Sequence, residues 1–225
     1  MTTARTRRKP DTKRRRQARQ GQDTRRAIMT AAGRLFAARR YDDVTMRQIA
    51  QESGCSHTAI YVYFKSKEAL LNELAAPPLR KLESAFDRVL GDSKVRGDER
   101  LRRVCSEFIV FSLKYRNLYR TIIETGAGRV DREYGEASIN RHRVRLFELL
   151  SAALRDALAL SPEDPRALPS SRILFYLLHG IASTYTQSEE SSDALLKRLA
   201  PTFEAAVRVC VSGLRQENAG TPSLR

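Results

Sequence analysis

An all-α chain in two parts is predicted by three features of the sequence. Apolar residues recur at helical spacing from Thr24 to about residue 215, no stretch alternates apolar and polar as a half-buried strand would, and Ala50, Gly54 and Ile60 stand at the A-x3-G-x5-I spacing of a helix-turn-helix. A chain of 225 residues is long enough for two modest cores. The expected organisation is a disordered basic arm at 1–21, a helix-turn-helix domain at 22–75, an all-helical domain at 76–217 and a flexible tail at 218–225.

The arm is expected because residues 1–21 carry almost no large apolar side chain and bury too little surface to offset the entropy of ordering. From Thr24 the stripe Ile28, Ala31, Ala32, Leu35 and Phe36 predicts a first helix that stops near Arg39. The second helix has a complete start signal: Thr45 as N-cap, Gln48 three residues on to close a capping box, and Val44 placed to staple onto Ile49. Gly54 ends it, since glycine takes the left-handed C-cap at least cost. Ser56 then caps a short third helix through Val62, with Ile60 inward and His57 and Thr58 on its leading turn. Ser66 caps a fourth, whose stripe Ala69, Leu70, Leu71 and Leu74 is expected to kink or break at Pro77 and Pro78, near a domain boundary at 75–78.

Beyond the prolines the pattern resumes with Leu79, Leu82, Phe86, Val89 and Leu90, and Gly91 to Gly97 reads as a loop. Further helices are expected at about 98–115, 117–124, 130–160, 170–187 and 192–215, with a proline-rich loop from Ser161 to Pro169.

Charge narrows the function classes. Lys and Arg number 41 against 26 Asp and Glu, a formal +15, and +9 of that excess lies in residues 1–26, which hold 11 basic and two acidic side chains. Such a balance attracts polyanions. The arginine-rich segment reads either as a solvated tail or as an arm that enters the minor groove of DNA beside the helix-turn-helix. No apolar run approaches a membrane span and the arginine-rich start lacks a secretory signal's apolar stretch, so a cytoplasmic protein without membrane contact is expected. Cys55, Cys105 and Cys210 are too widely spaced for a disulfide framework or a zinc pattern and read as structural. His57, His142 and His179 are scattered, and no phosphate loop, nucleophile elbow or metal spacing occurs; no catalytic residue, metal or cofactor is expected.

The run from Arg25 to Leu71 resembles the DNA-binding domain of the tetracycline-repressor (TetR) family along its length. The shared residues are Ala31, Ala32, Leu35 and Phe36 in helix one, then Tyr41, Thr45, Ile49, Ala50, Gly54 and Ser56, and the ending Ile60, Tyr61, Tyr63, Phe64, Ser66, Lys67, Glu68 and Leu70. Two positions depart: Arg40 replaces the glycine usual before Tyr41, and Thr58 stands where glycine or proline is common. The first implies a helix-one end without glycine, the second an altered base preference.

The resemblance implies that Thr45, Arg47, Tyr61, Tyr63 and Lys67 hold phosphates, which sets register, while His57, Thr58 and Ala59 face base edges in the major groove. Partial core packing of Tyr61 and a merely solvated His57 are the plainer readings. It also implies a homodimer through the last two helices, a double-stranded operator, and a small-molecule effector; ordinary burial within one subunit accounts for apolar residues 172–185 and 194–214 equally simply.

Residues 108–122 and 175–183 are similar to a C-terminal subtype marked by Trp-His-Gly, although Leu178 replaces the aromatic before His179 and Gly180. On that likeness Phe108, Phe111, Tyr115, Tyr119, Ile122, Phe147, Phe175, Tyr176 and His179 line a ligand cavity, against the simpler reading that they are plain core. An enzyme, or a sequence-indifferent nucleic-acid binder using the basic arm alone, are the alternatives from other classes.

Overall fold

The computed structural model describes residues 12–124 and 138–220. Its elements are α1 (Thr12–Ala38), α2 (Met46–Glu52), α3 (His57–Tyr63), α4 (Lys67–Gly91), α5 (Gly97–Lys114), α6 (Arg116–Glu124), α7 (Ser138–Leu158), α8 (Ala167–Thr184) and α9 (Ser192–Gly220), and no strand occurs among the described residues. The chain divides into two compact units between Leu74 and Ala75.

In the first unit α1 packs on α2 and α2 on α3. The apolar stripes meet in a core of Ile28, Ala31, Ala32, Phe36, Ile49, Ala50, Ile60 and Leu70. The turn from α1 to α2 is held by Tyr41, whose buried ring packs tilted against Phe36 with centroids 5.4 Å apart. It ends without a left-handed residue, as Arg40 in place of glycine implies.

In the second unit α5 packs against α7, α8 and α9, with α7 on α8 and α8 on α9. Leu101, Val104, Leu150, Leu154, Leu174, Leu178 and Leu195 are fully buried there. The C-terminal half of α4 is tied to α7 by His142 Nδ1 against Glu83 at 2.7 Å and by Arg145 against Asp87 at 3.3 Å.

Four expectations are corrected. The arm at 1–21 is helical from Thr12: Lys, Arg, Gln and Ala are strong helix formers, and the packed stretch beyond residue 24 supplies the nucleus, so the helix propagates past Gly21 at a cost of about 1 kcal/mol. Residues 1–11 lie outside the described part. The break at Pro77 and Pro78 does not occur, and α4 runs through both. Proline's fixed φ suits a helix and its penalty is local, about 3 kcal/mol, while burial of Leu70, Leu71, Ala75, Ala76, Leu79, Leu82 and Phe86 continues along the helix on either side. The loop expected up to Pro169 ends sooner, because proline is tolerated in a first helical turn and α8 starts at Ala167. At the other end α9 extends to Gly220, into the stretch expected as a tail; the first part of the helix predicted at 130–160 lies outside the described residues.

Candidate nucleic-acid interface and interior aromatic cluster

Helices α2 and α3 are only seven residues each, too short to persist alone, and the sequence supplies a start or stop at three of their four ends. Thr45 Oγ1 accepts from the Gln48 amide at 3.2 Å while Gln48 Oε1 accepts from the Thr45 amide at 2.9 Å, the reciprocal box that the spacing predicts. At the far end Gly54 adopts φ +72°, its amide bonds Gln51 O at 3.2 Å and the Cys55 amide bonds Ala50 O at 3.0 Å, which is a complete Schellman closure. Ser56 Oγ then accepts from the Ala59 amide at 3.1 Å, and Ser66 Oγ from the Ala69 amide at 3.1 Å to open α4. Ile60, fully buried, locks α3 onto α2.

This framework leaves one face of α3 in solvent. His57 and Thr58 are exposed, Tyr61 is 45% exposed and Val62 81% exposed, with Ala59 half-buried beside them. His57 and Tyr61 meet edge to face at 5.4 Å, an i,i+4 pair that steadies both rings. Val62 was not singled out from sequence. Its spacing of four from Thr58 places it on the same face, and so large an apolar side chain left in water on a helix whose opposite side is core signals a contact surface.

The remaining expected phosphate-binding residues divide. Arg47 is exposed on α2, and Tyr63 is half-buried at the end of α3. Thr45 is exposed, but its hydroxyl is engaged with Gln48, donating to Oε1 at 3.1 Å and accepting from the amide. Lys67, expected to hold a phosphate, has contacts within its own chain: Nζ donates to Tyr41 O at 2.8 Å and Val44 O at 2.9 Å and sits 4.1 Å over the Tyr41 ring. It clamps the α1–α2 turn by bridging two of that turn's carbonyls, of which Tyr41 O also accepts from the Val44 amide at 3.2 Å. On the other flank Arg25 pairs with Glu73 and lies 4.6 Å over Phe64, fixing the start of α4 against α1.

In the second unit five of the expected lining residues form a chain of rings. Phe108 meets Tyr119 at 5.9 Å, Tyr119 meets His179 at 6.1 Å, His179 stacks on Phe175 at 5.9 Å, and Phe175 meets Phe147 at 5.9 Å. Phe111 and Tyr115 make a separate pair at 5.2 Å, and Ile122 is buried. Tyr176 does not belong inside: it is 63% exposed, since adjacent helical residues point about 100° apart and Phe175 takes the inward position.

One polar link crosses the cluster, Tyr119 Oη to His179 Nδ1 at 3.0 Å. Burial raises the Tyr119 pKa, so the phenol donates. Burial, with Arg143 adding repulsion, holds the His179 pKa below its ordinary value, so the neutral ring accepts at Nδ1 and carries its proton on Nε2, 3.4 Å from Ser183 Oγ. Arg143, half-buried on α7 one turn before Phe147, was missed from sequence although that i,i+4 relation places it on the same face; burial lowers its pKa in turn. A cleft of about 40 Å³ opens elsewhere, lined by Cys105 and Ile109 of α5 and Leu196, Phe203 and Val207 of α9. It is far below the 300 Å³ or so of a ligand pocket. Among the described residues no group of three His, Cys, Asp or Glu side chains is placed to hold a metal ion.

The sequence profile described as "Bacterial regulatory proteins, tetR family" matches residues 28–74, and one described as "Tetracyclin repressor-like, C-terminal domain" matches residues 101–210. Among curated relatives, the HTH-type transcriptional regulator EthR of Mycolicibacterium smegmatis is 34% identical over 104 residues, 46% of this chain and 47% of that protein. The chain thus spans about half the length of the curated relatives it matches. Among solved structures, a TetR-like transcriptional regulator from Rhodococcus sp. RHA1 superimposes with a TM-score of 0.58 at 20% identity, over 88% of this chain and 97% of that one. The transcriptional regulator FadR from Bacillus subtilis, solved in complex with stearoyl-CoA, does so with a TM-score of 0.56 at 21% identity, over 83% and 97%. At these identities the likeness concerns the fold.

Proposed function

Since the chain belongs to the tetR family of bacterial regulatory proteins, we propose that it is a DNA-binding repressor of transcription that sits as a homodimer on a palindromic operator. A small molecule bound within residues 76–217 releases it. The observation that carries the reading is the exposed face of α3, presented on a helix whose two ends are both closed by hydrogen bonds and whose back is core. A base-reading helix needs that rigidity, because each good base contact is worth about 1–3 kcal/mol only if its geometry is held.

In this reading His57, Thr58 and Ala59 meet base edges, with Val62 placed to pack against a thymine methyl, and Arg47, Tyr61 and Tyr63 hold phosphates. Thr45 and Lys67 act one step back, by setting where α2 and the turn before it stand. The homodimer is supported by apolar side chains left in solvent on the last two helices: Leu168, Ile173 and Tyr176 on α8 and Val209 on α9. The effector site is the ring cluster around Tyr119 and His179, which suits an apolar ligand carrying one polar group able to compete for their hydrogen bond. Such a ligand acts only if it binds the released arrangement more tightly than the DNA-bound one. The compartment is the cytoplasm, and among the described residues no helix is long and apolar enough to cross a membrane.

Selection of bound duplexes from random DNA tests the proposal. An inverted repeat is the expected product, and Thr58→Ala should change the bases recovered; recovery of no common sequence sinks the reading and favours an indifferent nucleic-acid binder. Sedimentation of the free protein, with Tyr176→Glu as the variant that should dissociate it, tests the dimer.

A further inference from the structure

Residues 12–20 make the first two and a half turns of α1 and reach about 14 Å beyond Gly21. Nothing in the domain requires them. Side chains from Arg15 to Gln20 are exposed, and the buried part of the helix starts at Ile28. Yet the overhang holds five basic residues, Lys13, Arg14, Arg15, Arg16 and Arg19, and no acidic one.

Elsewhere arginines commonly sit against carboxylates, as Arg25 does on Glu73, Arg100 on Asp156, Arg102 on Glu99 and Arg166 on Asp164. Arg15, Arg16 and Arg19 have no such partner among the described residues. Three such charges within five residues repel one another, a cost that a polyanion would reverse. The overhang also starts in a telling place: a side chain at Gly21 would lie 4.0 Å from the hydroxyl of Tyr63, at the end of α3. It therefore leaves the domain beside the helix assigned above to DNA.

We propose that residues 12–20 form a rigid basic rail that lies along the phosphates flanking the bases read by α3, and that they do not enter the minor groove. This rests on the DNA-binding reading of α3. A helix with side chains is about 10–12 Å across and the minor groove about 6 Å wide, so a helical segment meets the duplex from outside, through its phosphates. Contacts of that kind add affinity without adding sequence preference. Helical structure holds the guanidinium stems of Arg15 and Arg19 on one side of the rail, which a flexible tail does not.

The test uses the full chain, a 30-base-pair duplex of mixed sequence and a duplex recovered by selection. Replacing Arg15, Arg16 and Arg19 together by alanine should weaken binding to both duplexes by the same factor, roughly 10- to 100-fold at physiological salt, and reduce the salt slope by about 2–3. The corresponding triple lysine variant should keep the slope. Ala18→Pro keeps every charge but breaks the helix, and should cost at least several-fold on both duplexes; the side chains from Arg15 to Gln20 are exposed, so neither variant should alter the thermal transition.

If Ala18→Pro binds like the parent, the segment is a flexible polycation and the rail is wrong. A triple alanine variant that alters neither duplex, or that alters the preference between them, overturns the proposal as well. Combined His57→Ala and Thr58→Ala provide the independent check: retained preference for the selected duplex refutes the assignment of α3, whereas loss of preference with an unchanged overhang effect upholds both.

Discussion

Helices α2 and α7 end in the same backbone closure with opposite residues. After α2 the left-handed position is Gly54, and after α7 it is Ala159 at φ +52°, with the Leu160 amide on Arg155 O at 3.0 Å as Cys55 is on Ala50. In the first unit, short helices depend on local chemistry, and both ends of α2 and the start of α3 each have a residue suited to them. In the second unit α5 and α8 start at Arg96 and Arg166 with no side-chain cap, and α7 tolerates an alanine where glycine costs least. Those helices run 18 to 21 residues and are held by their neighbours, so imperfect ends are affordable. Local signals matter most where tertiary burial per helix is least.

The sharpest way to break this contrast is a core deletion in the second unit. Leu178→Ala, at a fully buried site on a helix without a side-chain cap, should cost about 2–5 kcal/mol in urea unfolding, more than any single cap in the first unit. A smaller loss than that of Thr45→Ala would mean that the second unit is not held by packing. Next in size, Lys67→Met removes two carbonyl bonds and a ring contact and should cost about 1–3 kcal/mol, with faster amide exchange in residues 41–52. Unchanged stability would return Lys67 to the phosphates.

The two closures then predict opposite signs. Gly54→Ala should destabilise by about 1–2 kcal/mol although nothing lies within 4 Å of the added methyl, while Ala159→Gly should stabilise by up to about 1 kcal/mol. Thr45→Ala and Ser56→Ala should each cost about 1 kcal/mol and accelerate exchange only within α2 and α3.

The smallest effect is that of His179. Its pKa is depressed by burial, so the unfolded chain takes up the proton first; the stability this group confers is complete above about pH 6.5 and is lost as the pH falls toward the folded value, no faster than about 1.4 kcal/mol per pH unit. His179→Gln should remove that component of the acid slope, and an identical slope in the variant would show that the ring is not shielded from water.

The first unit was legible nearly residue by residue. Thr45 with Gln48, Gly54, Ser56 and Ser66 act within four positions of themselves, so their bonds follow from spacing alone. The exposed face of α3 followed too, except for Val62. The bonds of Lys67 to the α1–α2 turn were not legible, because its acceptors lie 23 and 26 residues away and no local pattern announces which distant carbonyl an ammonium will meet. In the second unit the aromatic residues were found, but which of Phe175 and Tyr176 faces inward was not: both fit an apolar helix, and only α7 with Phe147 selects between them.

By itself the sequence determined the all-helical class, the ends of the short helices, and a charge excess gathered at one terminus, because periodicity, capping and composition act over a turn or two. Only the tertiary structure decided that α4 runs through two prolines and that Lys67 binds its own chain. Each depends on residues distant in sequence, and the free energy they contribute outweighs the local preference that the sequence displays.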